Sequence, residues 1–445
     1  MRRFRIFYLV VRELAQKYTR ALTAGFILGL LMTLLVSRVY PVIRQVLFAP
    51  VERVGLVGEF TPNSLPLLIQ NQISMGLTVL GPDGSVLPGL AKEWTATDSG
   101  KTFIFMLRED SVWHNGKPVT AVDVNYNIRN VTFTPDNDYT LRVTLTTPFS
   151  PFPTLVTRPI FAAGLRGFGP YKLATIRLNG DKVAFIKIVP RDRSDVGLHA
   201  KEYRFYRTET AAVLGYKLGE VDTLIDMTAP YNLSSWRGTK ATEEVMHNRI
   251  VALFFNLNDQ RLQDKGFRQG LAYAVPDLGN ERALSPINSD SWAYTDKVKK
   301  YTFDLTQAKK LLGTTKEASE SSELLLAAFP TYESDAEAIA KSWTEAGVPT
   351  RVQIVSTVPS DYQVLLSFQE VPPDPDQYPF WHSTQTQTNK TGFSNVKIDK
   401  LLEDGRQEID QTKRKTIYAD FQRRVVEEVP AIFLHYQTAY TIQRQ

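Results

Sequence analysis

An uncharged run near the start of the chain, residues 21–36, limits how this protein can fold more than any other feature. Six cationic side chains precede the run and Arg38 follows it. As a helix the run spans about 24 Å, slightly less than the ~30 Å hydrocarbon core of a bilayer. Flanking arginines make up the difference when their side chains extend to the interface. The pattern predicts a basic cytoplasmic segment over residues 1–20, a transmembrane helix over 21–40 that anchors the protein, and a linker over 41–52.

Charge is distributed unevenly along the chain. Residues 1–50 contain eight basic side chains and the single acid Glu13, a net charge of +7, whereas the whole chain of 445 residues carries +5. The remainder is therefore slightly acidic, so the basicity predicts membrane topology and no nucleic-acid partner. By the positive-inside rule, we expect a single-pass protein of the cell membrane with a cytoplasmic N-terminus and an extracytoplasmic C-terminal domain. Two alternatives stay open, a signal peptide cleaved near Ala49 and a buried soluble helix.

Beyond residue 50, strand and helix patterns alternate without a fixed repeat. This alternation predicts a mixed α/β fold and argues against a solenoid or propeller. Polar and apolar residues alternate over residues 140–145, with the period of a half-buried strand. Residues 103–107 and 183–188 are predicted as further strands. The sequence contains no cysteine, which excludes disulfides, thiolate metal sites and cysteine nucleophiles.

Two helices are predicted near the C-terminus, where apolar residues recur at helical spacing among charged ones. The first contains Ile398 and the second contains Ile417 and Val425, with Asp410 placed to cap the second. A polar stretch over residues 314–322 predicts an exposed, mobile connection.

A longer pattern begins at residue 90, in the stretch LAKEWTATDSGKTFIFMLREDSVWHNGKPVTAVDVNYNI. It contains a Leu-Ala-x-x-Trp, a Leu-Arg, a His-x-Gly and a Thr-Ala-x-Asp-Val, in that order. The stretch closely resembles the N-terminal signature of the family-5 extracellular solute-binding proteins, the dipeptide, oligopeptide and nickel binders of ABC importers. The resemblance continues in the family's order through GFGPYKL (167–173), NRIVALFFNLN (248–258), FRQGLAYAV (267–275), DPDQY (374–378) and EEVPAIFLHY (427–436).

The resemblance implies two α/β lobes joined by a hinge, the type II periplasmic-binding-protein-like fold, with ligand held between the lobes. Carried onto this chain, lobe I comprises residues 53–252 plus 433–445, and lobe II comprises 253–432. The two chain crossings are expected near Ala252 and Phe433. Larger relatives have a long extra subdomain where this chain has only the short segment between Asn130 and Asp136, so we expect a trimmed version of the fold. Within the signature, Thr120 and Asp123 are predicted to start a helix.

Motifs that carry catalysis are absent from the sequence. It contains no G-x-S-x-G elbow, no HExxH and no P-loop. Asp374 and Asp376 flank Pro375, a pattern more typical of a turn than of a catalytic pair. His114 and His382 have no spacing that joins them as metal ligands. We therefore expect a protein that is not an enzyme and that uses no cofactor and no metal.

The predicted function is capture of a small-molecule or peptide ligand between the lobes and its delivery to ABC permease subunits, by an ectodomain that is a monomer. Hinge closure on the ligand would produce the form that the permease recognises. A tethered sensor or scaffold that kept the fold without a transporter is the alternative. An enzyme on the same fold is a third possibility, which the motif search disfavours.

The ligand-binding residues are predicted from the resemblance and from one departure from it. Peptide binders of this family have an aspartate a few residues before the aromatic of the DPDxF-like motif, and it pairs with the amino group of the peptide. Here Val371 occupies that position, so an amine-anchored peptide requires Glu370 to take the role. An aromatic group that follows is suited to a cleft wall, although the same residues would equally suit the core of lobe II. The predicted ligand-binding residues are Ile73, Ser74, Met75, Glu370, Tyr378, Trp381 and His382.

Overall fold

A computed structural model describes residues 17–20, 23–25, 27–33, 51–192, 197–314 and 323–445. The predicted linker up to residue 50, much of the predicted anchor and nearly all of the predicted connection over 314–322 lie outside the described residues. Residues 23–25 and 27–33 are helical and exposed. Within the described ranges, no helix is both long enough and apolar enough to cross a membrane.

From residue 51 onwards the described chain is a mixture of strands and helices, as the alternating patterns predict. The strands are β1 Val51–Val57, β2 Thr78–Leu80, β3 Val86–Pro88, β4 Ala91–Thr97, β5 Thr102–Leu107, β6 Val131–Asn137, β7 Thr140–Leu145, β8 Tyr171–Asn179, β9 Lys182–Pro190, β10 Ala200–Tyr206, β11 Thr223–Met227, β12 Thr239–Phe255, β13 Leu324–Ala328, β14 Thr350–Ile354, β15 Val364–Glu370 and β16 Ala431–Arg444. The helices are α1 Leu67–Ile73, α2 Phe152–Leu155, α3 Glu209–Lys217, α4 Lys265–Tyr273, α5 Leu305–Leu312, α6 Glu333–Glu345, α7 Tyr378–Trp381, α8 Val396–Gln407 and α9 Gln411–Glu428.

One mixed sheet of ten strands runs through the molecule in the order β14-β13-β15-β12-β16-β11-β1-β10-β9-β8. The two longest strands, β12 and β16, pair antiparallel at its centre, and Ala252 lies directly opposite Phe433. Their register shifts between Met246 and Ile250 and again between Val251 and Ala252. Such irregularities bend a strand locally. The bent pair therefore joins the two halves of the sheet as a two-stranded hinge.

Each half of the sheet has its own hydrophobic core, which defines two lobes. One core is built on residues 250–436 and contains the buried indoles of Trp343 and Trp381. On the other side of the hinge, α1 and α3 cover the sheet with two smaller cores, and a four-stranded sheet in the order β4-β5-β7-β6 has a third. The lobe II core includes residues 250–252 and 433–436, so it extends slightly beyond the predicted lobe boundaries at both crossings.

Local patterns in the sequence located several of these elements. Strand β7 has the predicted bounds, and its apolar residues are buried while the alternate ones face outward. The predicted C-terminal helices correspond to α8 and α9, and the Asp410 carboxylate accepts a hydrogen bond from the Lys413 amide at 2.9 Å. The predicted helix at Thr120 is only a single 3-10 turn, because the chain returns to an extended conformation at Val124.

Candidate ligand-binding cleft

A cleft of about 1020 Å³ lies between the two lobes. Its floor is the hinge part of β12, residues 244–249. One wall comes from lobe I, where α1 begins and where the loop over residues 80–84 connects β2 to β3. The opposite wall comes from lobe II, from residues 288–291 and from residues 370–373 at the end of β15. Both lobes and the hinge therefore border the same space.

The floor of the cleft carries an ion pair between lobe I and the hinge strand β12. Arg249 on β12 donates to both carboxylate oxygens of Asp226, at 2.5 and 2.8 Å. Asp226 lies on β11 of lobe I, with the positive φ of 59°, and Arg249 stands opposite Glu370 of lobe II in the strand register of β12 and β15. The hydrogen bond with Asp226 raises the pKa of Arg249 further. The guanidinium thus remains a fixed positive charge at the floor.

His247 occupies the same floor and connects the hinge strand to lobe II. Its Nδ1 lies 2.6 Å from the Asp290 carboxylate and its Nε2 lies 2.9 Å from that of Glu281. The ring also packs edge-on against Tyr436 of β16, with centroids 4.6 Å apart. Burial acts to lower the pKa of His247, but the hydrogen bonds with Asp290 and Glu281 outweigh it and raise the pKa. Protonated His247 therefore donates to both carboxylates.

The two lobes touch at the mouth of the cleft. Gly84, in the lobe I loop, approaches Pro373 of lobe II so closely that a Cβ at position 84 would lie 2.8 Å from the Pro373 carbonyl oxygen. Gly84 also has a positive φ of 74°, which favours glycine. Only a residue without a side chain fits both constraints.

A second contact between the lobes lies away from the cleft. The Ser150 amide of lobe I donates to the Arg406 carbonyl of lobe II at 2.7 Å. Arg406 also places its guanidinium 5.2 Å from the ring of Phe149 in lobe I. Nearby, a Cβ on Gly100 would lie 2.6 Å from Ile409 of lobe II. With contacts at both places, the structure is a closed form of the two-lobed molecule.

Of the seven predicted ligand-binding residues, only Glu370 lines the cleft. Its exposed side chain projects from the end of β15, and no described residue donates a hydrogen bond to its carboxylate. Val371, which follows it, lines the cleft and is 6% exposed. Phe380, which belongs to the aromatic group that follows the DPDQY motif in the sequence, also lines the cleft.

The predicted aromatic wall lies mostly inside lobe II. Trp381 is 1% exposed and packs between Phe254 and Phe433. Tyr378 stacks on His382 with ring centroids 4.0 Å apart, and the buried His382 contacts the Thr384 hydroxyl at 2.9 Å. Tyr378 and Trp381 lie on the short helix α7, and His382 follows its last residue. The structure therefore places them behind the cleft wall.

The predicted lobe I loop also lies away from the cleft. Ile73, at the end of α1, is fully buried in a lobe I core. Ser74 is buried as well, and its hydroxyl donates to the Ile160 carbonyl. Met75 lines a separate depression of about 430 Å³ beside Arg108. The loop packs beneath lobe I because α1 turns its apolar side onto the sheet.

Sequence reasoning missed the residues that shape the floor and mouth. Asp226 and Arg249 are separated by 23 positions, and His247 meets its partners only through the folding of lobe II. No spacing rule connects such groups. The positive charge of Arg249 and the glycine at position 84 were visible in the sequence, but nothing local marked them as cleft residues.

The fold and the cleft define a two-lobed solute-binding protein, and comparisons with known proteins specify the family. Residues 85–390 match the model of the bacterial extracellular solute-binding proteins, family 5. Because this match covers more than half of the chain, the protein belongs to that family.

Relatives of similar length support the assignment. The chain is 23% identical to the dipeptide-binding protein DppE of Bacillus subtilis, with 84% of this chain and 83% of DppE covered. It is also 23% identical to di/tripeptide-binding protein 1 of Pseudomonas aeruginosa, over 81% and 82% of the two chains. These relatives are named as binding proteins, in agreement with the expectation of a protein that is not an enzyme.

Solved structures show the same fold. The substrate-binding protein CtaP of Listeria monocytogenes superposes with a TM-score of 0.76 at 22% identity, over 89% of this chain and 94% of that one. NikZ of Campylobacter jejuni, solved with Ni(L-His), superposes with a TM-score of 0.72 at 20% identity, over 89% and 94%. The two-lobed periplasmic-binding-protein-like fold is thereby confirmed.

Proposed function

We propose that this protein captures a small solute in the cleft between its lobes and delivers it to an ABC permease. The supporting observation is the closed cleft itself, which is bordered by both lobes and by the hinge. A solute that touches both walls makes its full set of contacts only when the lobes close, so its binding favours the closed form. Membership of the solute-binding family supports delivery to a permease.

We propose further that the solute carries a positive charge. The side chains that line the cleft include five carboxylates, against one arginine and one histidine. Arg249 is already paired with Asp226, and His247 with Asp290. Glu370 has no such partner among the described side chains, which leaves its carboxylate for a ligand cation. The peptide-binding relatives and the nickel complex bound to NikZ are compatible with this charge.

A thermal-shift screen of the purified full-length protein tests the ligand class. The compounds are short peptides with free and with acetylated N-termini, nickel–histidine complexes and neutral oligosaccharides. We expect a free-amine peptide or a metal complex to raise the melting temperature, and Glu370→Gln to reduce that rise. Glu93→Gln, at an exposed position on β4 outside the cleft, is the matched control. Stabilisation by oligosaccharides alone would contradict the charge assignment.

We propose that residues 21–40 anchor the protein in the membrane with the binding domain outside. The charge asymmetry of residues 1–50 supports this topology. The described part of the run supports it too, because Ile27, Leu28, Leu30, Leu31 and Met32 are each between 54% and 67% exposed on a helical segment. The mature protein is expected to fractionate with membranes and to keep its N-terminus. N-terminal sequencing that begins after Ala49 would refute the anchor.

Delivery to a permease has a separate test. Cells that lack this protein should lose energy-dependent uptake of the solute identified in the screen, and the intact gene should restore that uptake. Unchanged uptake in cells without the protein would instead support the alternative of a tethered sensor or scaffold.

A further inference from the structure

The Asp-Pro-Asp turn that follows β15 is held by two arginines from the helices behind it. Asp374 forms a buried bidentate pair with Arg414 of α9, at 3.0 and 2.7 Å. The Asp376 carboxylate forms an ion pair with Arg406 of α8, whose Nε and one terminal nitrogen lie 3.0 and 2.9 Å from a carboxylate oxygen. The side chains of Asp374 and Arg414 are only 9% and 7% exposed. The turn is therefore fixed rigidly to the two helices.

Arg406 reaches beyond the turn to the other lobe. One face of its guanidinium lies over the ring of Tyr378, with the carbon 3.9 Å from the ring centroid. Phe149 of lobe I lies 5.2 Å from the same carbon. Arg406 thus contacts an aromatic ring from each lobe while its carbonyl accepts the Ser150 amide. Cation–π contacts of this kind are attractive at such distances.

The same turn also continues directly into the cleft wall. Val371, Pro372 and Pro373 line the cleft, and Asp374 follows them without a break in the chain. A single rigid segment therefore has a ligand-facing end and an end clamped by Arg406. The Phe149 contact crosses between the lobes, so a hinge motion that separates these two surfaces breaks it.

We propose that Arg406 is a positioning residue for solute capture: it holds the lobes closed through Phe149 without touching the solute. The inference rests on the proposed capture function. A contact made only in the closed form raises the closed population, and the apparent affinity for solute rises by the same factor. Loss of the Phe149 contact is expected to reduce the ratio of closed to open molecules roughly three- to tenfold.

The absence of cysteine from the sequence gives a direct assay. Val122 in lobe I and Val396 in lobe II are 73% and 84% exposed, so cysteines introduced there in the full-length protein take one spin label in each lobe. The distance between the labels is measured by pulsed electron paramagnetic resonance without any added solute. Arg406→Gln and Phe149→Leu should both shift the distribution to longer distances.

Two controls make the result decisive. Arg423→Gln breaks an ion pair with Asp420 inside α9 and should leave the distances unchanged. Phe149→Leu keeps the Asp376–Arg406 pair. If Arg406→Gln impairs folding, the distances in Phe149→Leu alone test whether the Phe149 contact holds the lobes closed. An unchanged distribution in Phe149→Leu overturns the inference. Because no solute is present, this outcome is distinct from a failure of the capture function, which would appear as a screen in which no compound stabilises the wild type.

Discussion

Replacement of Gly84 by alanine is predicted to open the closed form at the mouth of the cleft. The added methyl group would lie 2.8 Å from the Pro373 carbonyl oxygen, closer than a Cβ atom approaches a non-bonded heavy atom. One of the two loops must therefore shift to relieve the overlap. The clash exists only while the lobes touch, so separation of the lobes relieves it.

Two energetic effects of this substitution are separable. The φ of 74° at Gly84 disfavours alanine by about 1–2 kcal/mol in both the open and the closed form. Overpacking against Pro373 adds ~1–3 kcal/mol in the closed form alone. That difference corresponds to a shift of about 5- to 150-fold towards the open form.

Gly180→Ala is the matched control for backbone strain. Gly180 lies in the turn between β8 and β9 with a φ of 63°, and a Cβ there would meet nothing within 4 Å. The spin-labelled protein with cysteines at Val122 and Val396 reports the outcome. We expect longer distances in Gly84→Ala and wild-type distances in Gly180→Ala, with similar losses of melting temperature from strain. Identical distance distributions in the two variants would refute the account of the cleft mouth.

Three further predictions concern stability. Arg414→Met leaves Asp374 buried without its cation and should lower the free energy of unfolding by about 3–5 kcal/mol in urea titrations; a loss below ~1 kcal/mol would show that the pair is dispensable. Trp381→Ala should remove ~3–5 kcal/mol because the indole fills the lobe II core, and a near-neutral result would mean that the ring is not packed there. His247 has a pKa raised above the usual 6.5, so its pairing stabilises the fold fully below about pH 6.5 and is lost as pH rises through the raised value. Wild-type stability should therefore fall in this window more than that of His247→Gln, and parallel pH profiles would argue against the assignment.

Local chemistry explains which parts of the fold were predictable. The alternation in β7 and the cap at Asp410 depend on residues within a few positions of each other, so the sequence displays them directly. The predicted start at Thr120 was right as a cap but wrong in extent. A cap pattern defines where a turn begins and says nothing about how far the helix continues.

The candidate site was less predictable because its parts meet only through the tertiary fold. An aromatic such as Trp381 suits a cleft wall and a core equally well, and burial depends on which way the single turn of α7 faces. The turn at Asp374 was predicted, whereas its pairing with Arg414, 40 positions away, has no signal in spacing. Glu370 was predicted to contact the ligand because it is next to Val371, which occupies the family's anchoring position. In the structure Glu370 does line the cleft.

The most direct test of solute capture is the distance between the lobes before and after a solute is added. The spin-labelled full-length protein is measured alone and then with a saturating amount of the compound that most raises its melting temperature. We expect the solute to concentrate the distribution at the short distance of the closed form, and Glu370→Gln to require more compound for the same change. A distribution that is unchanged at saturation would contradict capture between the lobes.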